Sequence, residues 1–406
     1  LSDFYLFQTT GVCSLHKSSW VVCYMFRYVD CSVWRHSWKY GILVGANYRF
    51  MEQRFNENVE KFDLRILGFD AVEEPLVSVD MITYNHAPHI ARAIEGVVKQ
   101  KTNFPFKLVI GEDCSTDGTR EIVFEYKKKY PDIIHVIASD HNLGASVNSR
   151  QVAQACTGKY IAFCEGDDFW HNETKLQKQV DHLECHPECG LVYSGFDVFH
   201  PHLNKTIKNF IQYKGWVMPE KPTLADFVED KGILGRGIAT CTVVLRRSLY
   251  NEVKTADPYL HLSGHFLMGD TQLWAEISTM AQLHYLPESL ATYVISKESA
   301  TRSTNPKKLL KFGMSQAEMM LYLCTKYNLP QHLRKAHERW LYDASLRLAF
   351  YKRDLELANE VRLKAKTFSY EQWIRYFAVK YSIIHYGYRA AAFFWGKLRQ
   401  KNNPWL

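Results

Sequence analysis

The chain has 406 residues, a formal net charge of +7, 47% hydrophobic and 23% charged residues, the composition of a folded globular protein long enough for two or three domains. That charge is mild for the length, so it admits an anionic partner such as a nucleotide or a lipid headgroup and gives no support to nucleic-acid binding. The 10 cysteines are scattered without regular spacing, which argues against a disulfide framework and reads as reduced thiols in a cytosolic setting.

No apolar stretch approaches the roughly 18 to 20 residues of a membrane span, so the expectation is a soluble or peripheral protein. Residues 1–72 show no sustained period of 2 or 3.6. They begin at Leu1 and hold Cys13, Cys23 and Cys31 among several Trp and Tyr. Two readings stay open: a poorly ordered extension with Met51 as the start, or an aromatic segment packed on the main domain. The apolar run 20–26 is too short for a span and lacks the flanks of a signal peptide.

From residue 73 the pattern becomes regular. Residues 76–82 read as a strand and 83–86 as a loop; Ile90, Ala93, Ile94, Val97 and Val98 then recur at helical spacing. Residues 106–111 form the next strand, and 114–119 a loop with helix-start residues leading into a helix over 120–129. Strand and helix repeat through 133–138, 144–155 and 159–164. Strands alternating with helices imply right-handed crossovers and a largely parallel α/β sheet. The expected division is an α/β domain over 73–304 and a helical region over 305–406.

Two of these strands end in acidic residues. Glu112 and Asp113 follow the second strand, and the strand at 159–164 runs into Glu165, Gly166, Asp167 and Asp168. Asn142, Leu143 and Gly144 lie on the loop between them. A glycine beside adjacent carboxylates is also ordinary turn composition, but strand ends in a doubly wound sheet can converge on one crevice. Such a crevice suits a nucleotide diphosphate held through a divalent ion: one carboxylate for the base, one for the ribose and one for the metal. No phosphate-binding Gly-x-x-x-x-Gly-Lys loop and no Gly-x-Gly-x-x-Gly follows the first strand, against a P-loop NTPase and a dinucleotide-binding dehydrogenase.

Taken together and in order, these motifs over residues 75–300 resemble family 2 glycosyltransferases. The resemblance implies a GT-A fold: a Rossmann-like, mostly parallel sheet flanked by helices, here with a C-terminal helical subdomain. It implies Asp113 as the base contact, Asp167 as the ribose or metal contact and Asp168 as the direct ligand of Mn²⁺ or Mg²⁺. Thr83, Tyr84, Asn85, Glu112, Asn142 and Gly144 complete the expected nucleotide-binding set. Glu165 stands where many relatives have Asp, and its role stays open.

Asp270 precedes a helix over 271–280 that carries Trp274. Sequence alone favours a helix N-cap there. The resemblance instead implies the general base of an inverting transfer, and a capping carboxylate at a pocket edge can serve both roles. Relatives often carry Arg, and sometimes His, just after the position of Tyr293; Val294 and Ile295 cannot act so, and Lys297 or Arg302 offers a replacement for the diphosphate, with a solvated surface charge the default reading for either.

Elsewhere, His182, Cys185, His186 and Cys189 invite a zinc reading, but the intervals are short and irregular for a structural site. Residues 200–235 read as an insertion over the acceptor side and 238–245 as a further strand. Helical periodicity returns at 309–327, 333–351 and 354–367. Residues 370–401 mix Trp373, Phe377, Tyr381, Phe393 and Trp395 with Lys380, Arg389, Lys397 and Arg399, which suits either a membrane interface or a helix packed on its own domain.

The expected function is transfer of a sugar from a nucleotide-diphosphate sugar, a UDP-sugar foremost, to a glycan or lipid-linked acceptor in surface polysaccharide or glycan synthesis. The expected location is cytoplasmic, with peripheral contact at the inner face of the membrane. The alternative is a non-catalytic nucleotide-sugar-binding protein of the same fold.

Overall fold

The computed structural model describes residues 74–229, 237–295, 305–365, 367–381, 383–384 and 386–387. The segment 1–72, the residues Lys297 and Arg302, and the basic aromatic stretch from 388 onward lie outside the described residues.

The first half runs β1 (Val77–Thr83), α1 (Ile90–Val98), β2 (Phe106–Glu112), α2 (Thr119–Lys129), β3 (Ile134–Ala138), α3 (Ala145–Ala155) and β4 (Tyr160–Phe163). It continues with β5 (Phe169–Trp170), α4 (Lys175–Cys185), β6 (Cys189–His200), β7 (Lys205–Ile207), α5 (Phe210–Tyr213), α6 (Leu224–Val228) and β8 (Val244–Arg246). Then come α7 (Arg247–Ala256), α8 (Pro258–His261), α9 (Thr271–Ile277) and β9 (Gln282–Val294). Four helices close the described chain: α10 (Pro306–Lys326), α11 (Gln331–Lys352), α12 (Leu355–Lys364) and α13 (Tyr370–Lys380).

The strands form one sheet in the order β3-β2-β1-β4-β8-β6-β9-β5, with β7 beside β6. From β3 to β4 every pairing is parallel, as the alternating sequence pattern predicts. Beyond β4 the sheet is mixed. β8 runs antiparallel to both β4 and β6, β9 is parallel to β6, and β5 is antiparallel to β9.

Strand alternation divides the core into two layers. Val77, Val79 and Met81 of β1, with Leu108 and Ile110 of β2, pack under Ile90, Ile94 and Val97 of α1 and Leu176, Val180 and Leu183 of α4. On the opposite face Val109, Ile161 and Phe163 meet Val152 of α3, Val253 of α7, Trp274 of α9 and Leu323 of α10. The first C-terminal helix therefore belongs to the core of the α/β layer, while α11, α12 and α13 share a smaller cluster around Leu346, Ala349, Val361 and Ala378.

The sequence expectation of a strand over 238–245 needs correction. Thr240–Thr242 form a 3₁₀ turn, closed by a hydrogen bond from the Thr242 hydroxyl to the Ala239 carbonyl at 2.7 Å, and β8 begins only at Val244. Cys241 and Thr242 are fully buried, so the turn carries the apolar pattern of a strand. The insertion at 200–235 has structure of its own in β7, α5 and α6.

Candidate active site

In the order 3-2-1-4 the connections leave in opposite directions on either side of β1, so a crevice opens between the C-terminal ends of β1 and β4. Three loops meet at that edge: 84–89 after β1, 113–118 after β2 and 164–168 after β4.

The first two loops are latched together. The Asn85 amide donates to the Ser115 hydroxyl at 3.0 Å, and the Thr116 amide donates to Asn85 Oδ1 at 2.9 Å. Asp117 accepts from the Ala87 amide at 3.0 Å and from the Thr119 hydroxyl at 2.6 Å. Asn85 takes a positive φ of 54° to make this turn, a conformation asparagine tolerates better than most residues. Tyr84 projects outward and is 42% exposed.

Glu112 and Asp113 are both buried. Glu112 is engaged within the protein, accepting from the Ser115 amide at 2.7 Å and pairing with Arg120 Nε at 3.3 Å. Asp113 accepts from the backbone amides of Leu143 and Gly144 at 2.7 and 2.9 Å, and its carbonyl accepts from Asn142 Nδ2 at 3.3 Å. The structure thus brings Asp113, Asn142 and Gly144 into one hydrogen-bonded unit, in which Asp113 holds the shape of the loop.

The third loop carries the acids. Gly166 packs so tightly that a Cβ there would lie 2.6 Å from Thr83 Oγ1 and 3.0 Å from His86 Nδ1, so only glycine fits between the β1 and β4 loops. Carboxylate oxygens of Glu165, Asp167 and Asp168 lie within 4.8 Å of one another. Asp168 is buried; its Oδ1 accepts from the Val294 amide at 2.8 Å, while Oδ2 has no hydrogen-bond partner. Burial, then the charges of Asp167 and Glu165, push the Asp168 carboxyl well above the carboxylate range. Burial and the neighbouring Asp167, Asp270 and Asp80 push Glu165 up to about 8.

An orphaned carboxylate oxygen inside a cluster of mutually repelling acids fits a hard divalent cation, since a cation removes the repulsion and supplies the missing partner. The residues present therefore suit Mn²⁺ or Mg²⁺.

Asp270 reaches this cluster from the other half of the sheet. It caps α9, with Oδ1 accepting from the Thr271 amide at 2.5 Å and Oδ2 from the Thr240 hydroxyl at 3.0 Å. Trp274 on α9 packs edge-on against Phe163 at the end of β4, 5.6 Å between ring centroids, which fixes the helix N-terminus near the acidic loop. The cap and the pocket-edge position occur together.

Sequence reasoning missed Thr240, hidden in the misread strand, and Asp80, which lies behind the loop on β1. Burial raises Asp80 to about 7 against the opposing charge of Lys254. Alternation along β1, which turns Ser78 and Asp80 away from the face of Val77, Val79 and Met81, could have marked Asp80 as buried. The histidines of the zinc reading stack instead: His182 lies 4.1 Å from His186 and 3.7 Å from His284 between ring centroids. Among the described residues only Glu165, Asp167 and Asp168 bring three such ligand atoms together.

A parallel 3-2-1-4 sheet with carboxylates at its switch point is an arrangement suited to a nucleotide ligand. Residues 78–252 match the model described as Glycosyl transferase family 2. That match covers less than half of the chain, and over those residues the chain is similar to the family. An uncharacterized protein of Mycobacterium tuberculosis is 33% identical over 225 residues, 53% of this chain and 58% of its own length. The chain therefore spans little more than half of that relative. The Escherichia coli UDP-Glc:alpha-D-GlcNAc-diphosphoundecaprenol beta-1,3-glucosyltransferase WfgD is 27% identical over 196 residues, 48% of this chain and 69% of its own. Among solved structures, the Pyrobaculum calidifontis mannosyltransferase PcManGT with GDP-Man and Mn²⁺ is 16% identical at a TM-score of 0.44, covering 84% of this chain and 93% of that one.

Proposed function

We propose that this domain transfers a sugar, with inversion, from a nucleotide-diphosphate sugar to an acceptor hydroxyl, in the synthesis of a surface polysaccharide or other glycan. The observation that carries the reading is the cluster of Glu165, Asp167 and Asp168 at the switch point, with Asp270 close enough to raise the Glu165 pKa.

Asp167 and Asp168 would hold the divalent cation, Mn²⁺ or Mg²⁺, which when bound supplies Lewis-acid neutralisation of a leaving diphosphate. Thr83, Tyr84, Asn85, Glu112, Asp113, Asn142 and Gly144 form the nucleotide side of this proposal. The hydrogen bonds around Asp113 and Glu112 favour a role in shaping the base and ribose pocket through the 142–144 and 113–118 loops. Asp270 acts as the base: it takes the proton of the acceptor hydroxyl as that oxygen bonds to the anomeric carbon, and the bond from that carbon to the diphosphate oxygen breaks with its electron pair leaving on the nucleotide. Its three hydrogen bonds, from the Thr271 amide and hydroxyl and from the Thr240 hydroxyl, fix the carboxylate in orientation and leave a further lone pair on Oδ2 for an incoming hydroxyl.

The name of the Escherichia coli relative supports a UDP-sugar donor and a lipid-linked acceptor. Peripheral contact with the inner face of a membrane is part of this proposal; what supports it is α13, where Tyr370 and Phe377 are exposed, and Tyr381 just past its end, exposed beside Lys380.

The test is release of nucleoside diphosphate from a panel of nucleotide sugars. Asp270→Asn is expected to keep nucleotide affinity and lose about 10²- to 10⁴-fold in turnover; near-normal turnover in that variant would remove Asp270 as the base.

A further inference from the structure

His86 lies in the loop after β1, His89 immediately precedes α1 and Arg92 is in its first turn. All three border the acidic loop. His86 Nδ1 lies 3.2 Å from Thr83 Oγ1 and 3.0 Å from where a Gly166 Cβ would stand. His89 is close enough to Asp167 and to Arg92 for their charges to act on it.

Arg92 holds its guanidinium carbon 3.4 Å from the Phe169 ring centroid, with the Phe199 centroid 5.7 Å away. Phe169 is the residue directly after Asp168, and Phe199 sits near the end of β6, so Arg92 bridges the acidic loop and the second half of the sheet. The guanidinium is exposed and, among the described residues, makes no ion pair. Stacking on aromatic rings holds the fork in place without consuming its N–H donors, which lie in the guanidinium plane.

A guanidinium set on an aromatic ring, without an ion pair among the described residues and close to His89 and the acidic cluster, matches a phosphate ester in charge and in hydrogen-bond geometry. We infer that His86, His89 and Arg92 form a ledge that binds a diphosphate beside the metal site, Arg92 supplying the charge and the imidazoles N–H donors. This rests on the proposed transferase reading and extends it, because it adds a diphosphate contact at the start of α1, beside the acidic loop. The diphosphate can be that of the donor or, where the acceptor is a lipid-linked sugar, that of the acceptor.

The test uses the full chain with Mn²⁺ and four probes: inorganic pyrophosphate, UDP, uridine and geranyl diphosphate, each titrated against wild type, Arg92→Met, Arg92→Lys and His89→Gln. Methionine keeps apolar packing on Phe169, and thermal unfolding verifies that each variant is folded. Pyrophosphate affinity is expected to fall about tenfold in Arg92→Met and several-fold in His89→Gln, to recover largely in Arg92→Lys, and to leave uridine affinity unchanged. If UDP loses affinity in parallel and displaces pyrophosphate, the ledge serves the donor. If UDP is unaffected and geranyl diphosphate binds the UDP-loaded protein with the same tenfold loss, it serves the acceptor. Equal pyrophosphate and geranyl diphosphate affinities in wild type and Arg92→Met overturn the ledge, and UDP binding that still depends on Mn²⁺ would in that case leave the transferase reading standing.

Discussion

Lys175 opens α4 with its side chain wholly out of water, its Nζ 4.2 Å over the Trp170 ring and without a hydrogen-bond partner. Burial pushes its pKa down to about 7, against the opposing pull of Cys241 and Cys164. An unfolded lysine titrates near 10.4. Between these values the unfolded chain holds a proton that the folded protein has lost, so stability rises with pH across that window. Lys175→Met is expected to raise Tm at pH 7, by about 2–4 °C for each kcal/mol recovered, and to flatten the rise in stability between pH 7 and 10. Thermal unfolding across that range checks it. A lower Tm with an unchanged pH slope would mean that the ammonium has an acceptor in the folded protein.

At the scale of elements, the helix that presents Asp270 is anchored at its far end. Glu276 on α9 accepts from His261 Nε2 at 2.6 Å, Lys326 Nζ at 2.5 Å and the Tyr327 hydroxyl at 2.6 Å, and Lys326 also reaches Asp257 at 2.7 Å. Burial would raise the Glu276 pKa, but these three hydrogen bonds outweigh it and hold the carboxyl at about 2. Because the folded value lies below the unfolded one, near 4.3, this carboxylate stabilises the fold fully above pH ~4.5 and loses that contribution as pH falls toward 2. Glu276→Gln is expected to cost about 2–3 kcal/mol, with Lys326 partly relieved by solvent, to weaken the acid dependence, and to lower turnover by loosening α9. Denaturant titrations at pH 7 and pH 3 measure the first two effects.

These elements also show where the sequence was legible. Strands β1 to β4 and their helices alternate so regularly that their order and parallel sense could be read directly, and with them the acidic pairs at the strand ends. The second half was harder. β9 runs unbroken from Gln282 to Val294 through Pro287 and Glu288, because the β6–β9 register shifts around Gly195, and Gly195 packs directly on the Pro287 carbonyl. Proline and glycine, which usually end strands, here mark a bulge. The latch of Glu276 to Lys326 joins residues distant in sequence, so no local pattern announced it.

For the whole molecule, three distant stretches meet at one edge of the sheet: the loops after β1 and β2, the acids after β4, and the N-terminus of α9. Among the described residues no helix is long and apolar enough to cross a membrane, and Tyr370 and Phe377 of α13 are exposed. The central claim is that the edge binds a nucleoside diphosphate through a divalent ion held by Asp167 and Asp168. Calorimetric titration of UDP, GDP, CDP, ADP and dTDP into the full chain, with and without Mn²⁺, tests it most directly. The account predicts that at least one of the five binds, that binding requires Mn²⁺ or Mg²⁺, and that Asp168→Asn abolishes it; binding by none of them, or binding that survives both metal removal and Asp168→Asn, would contradict it.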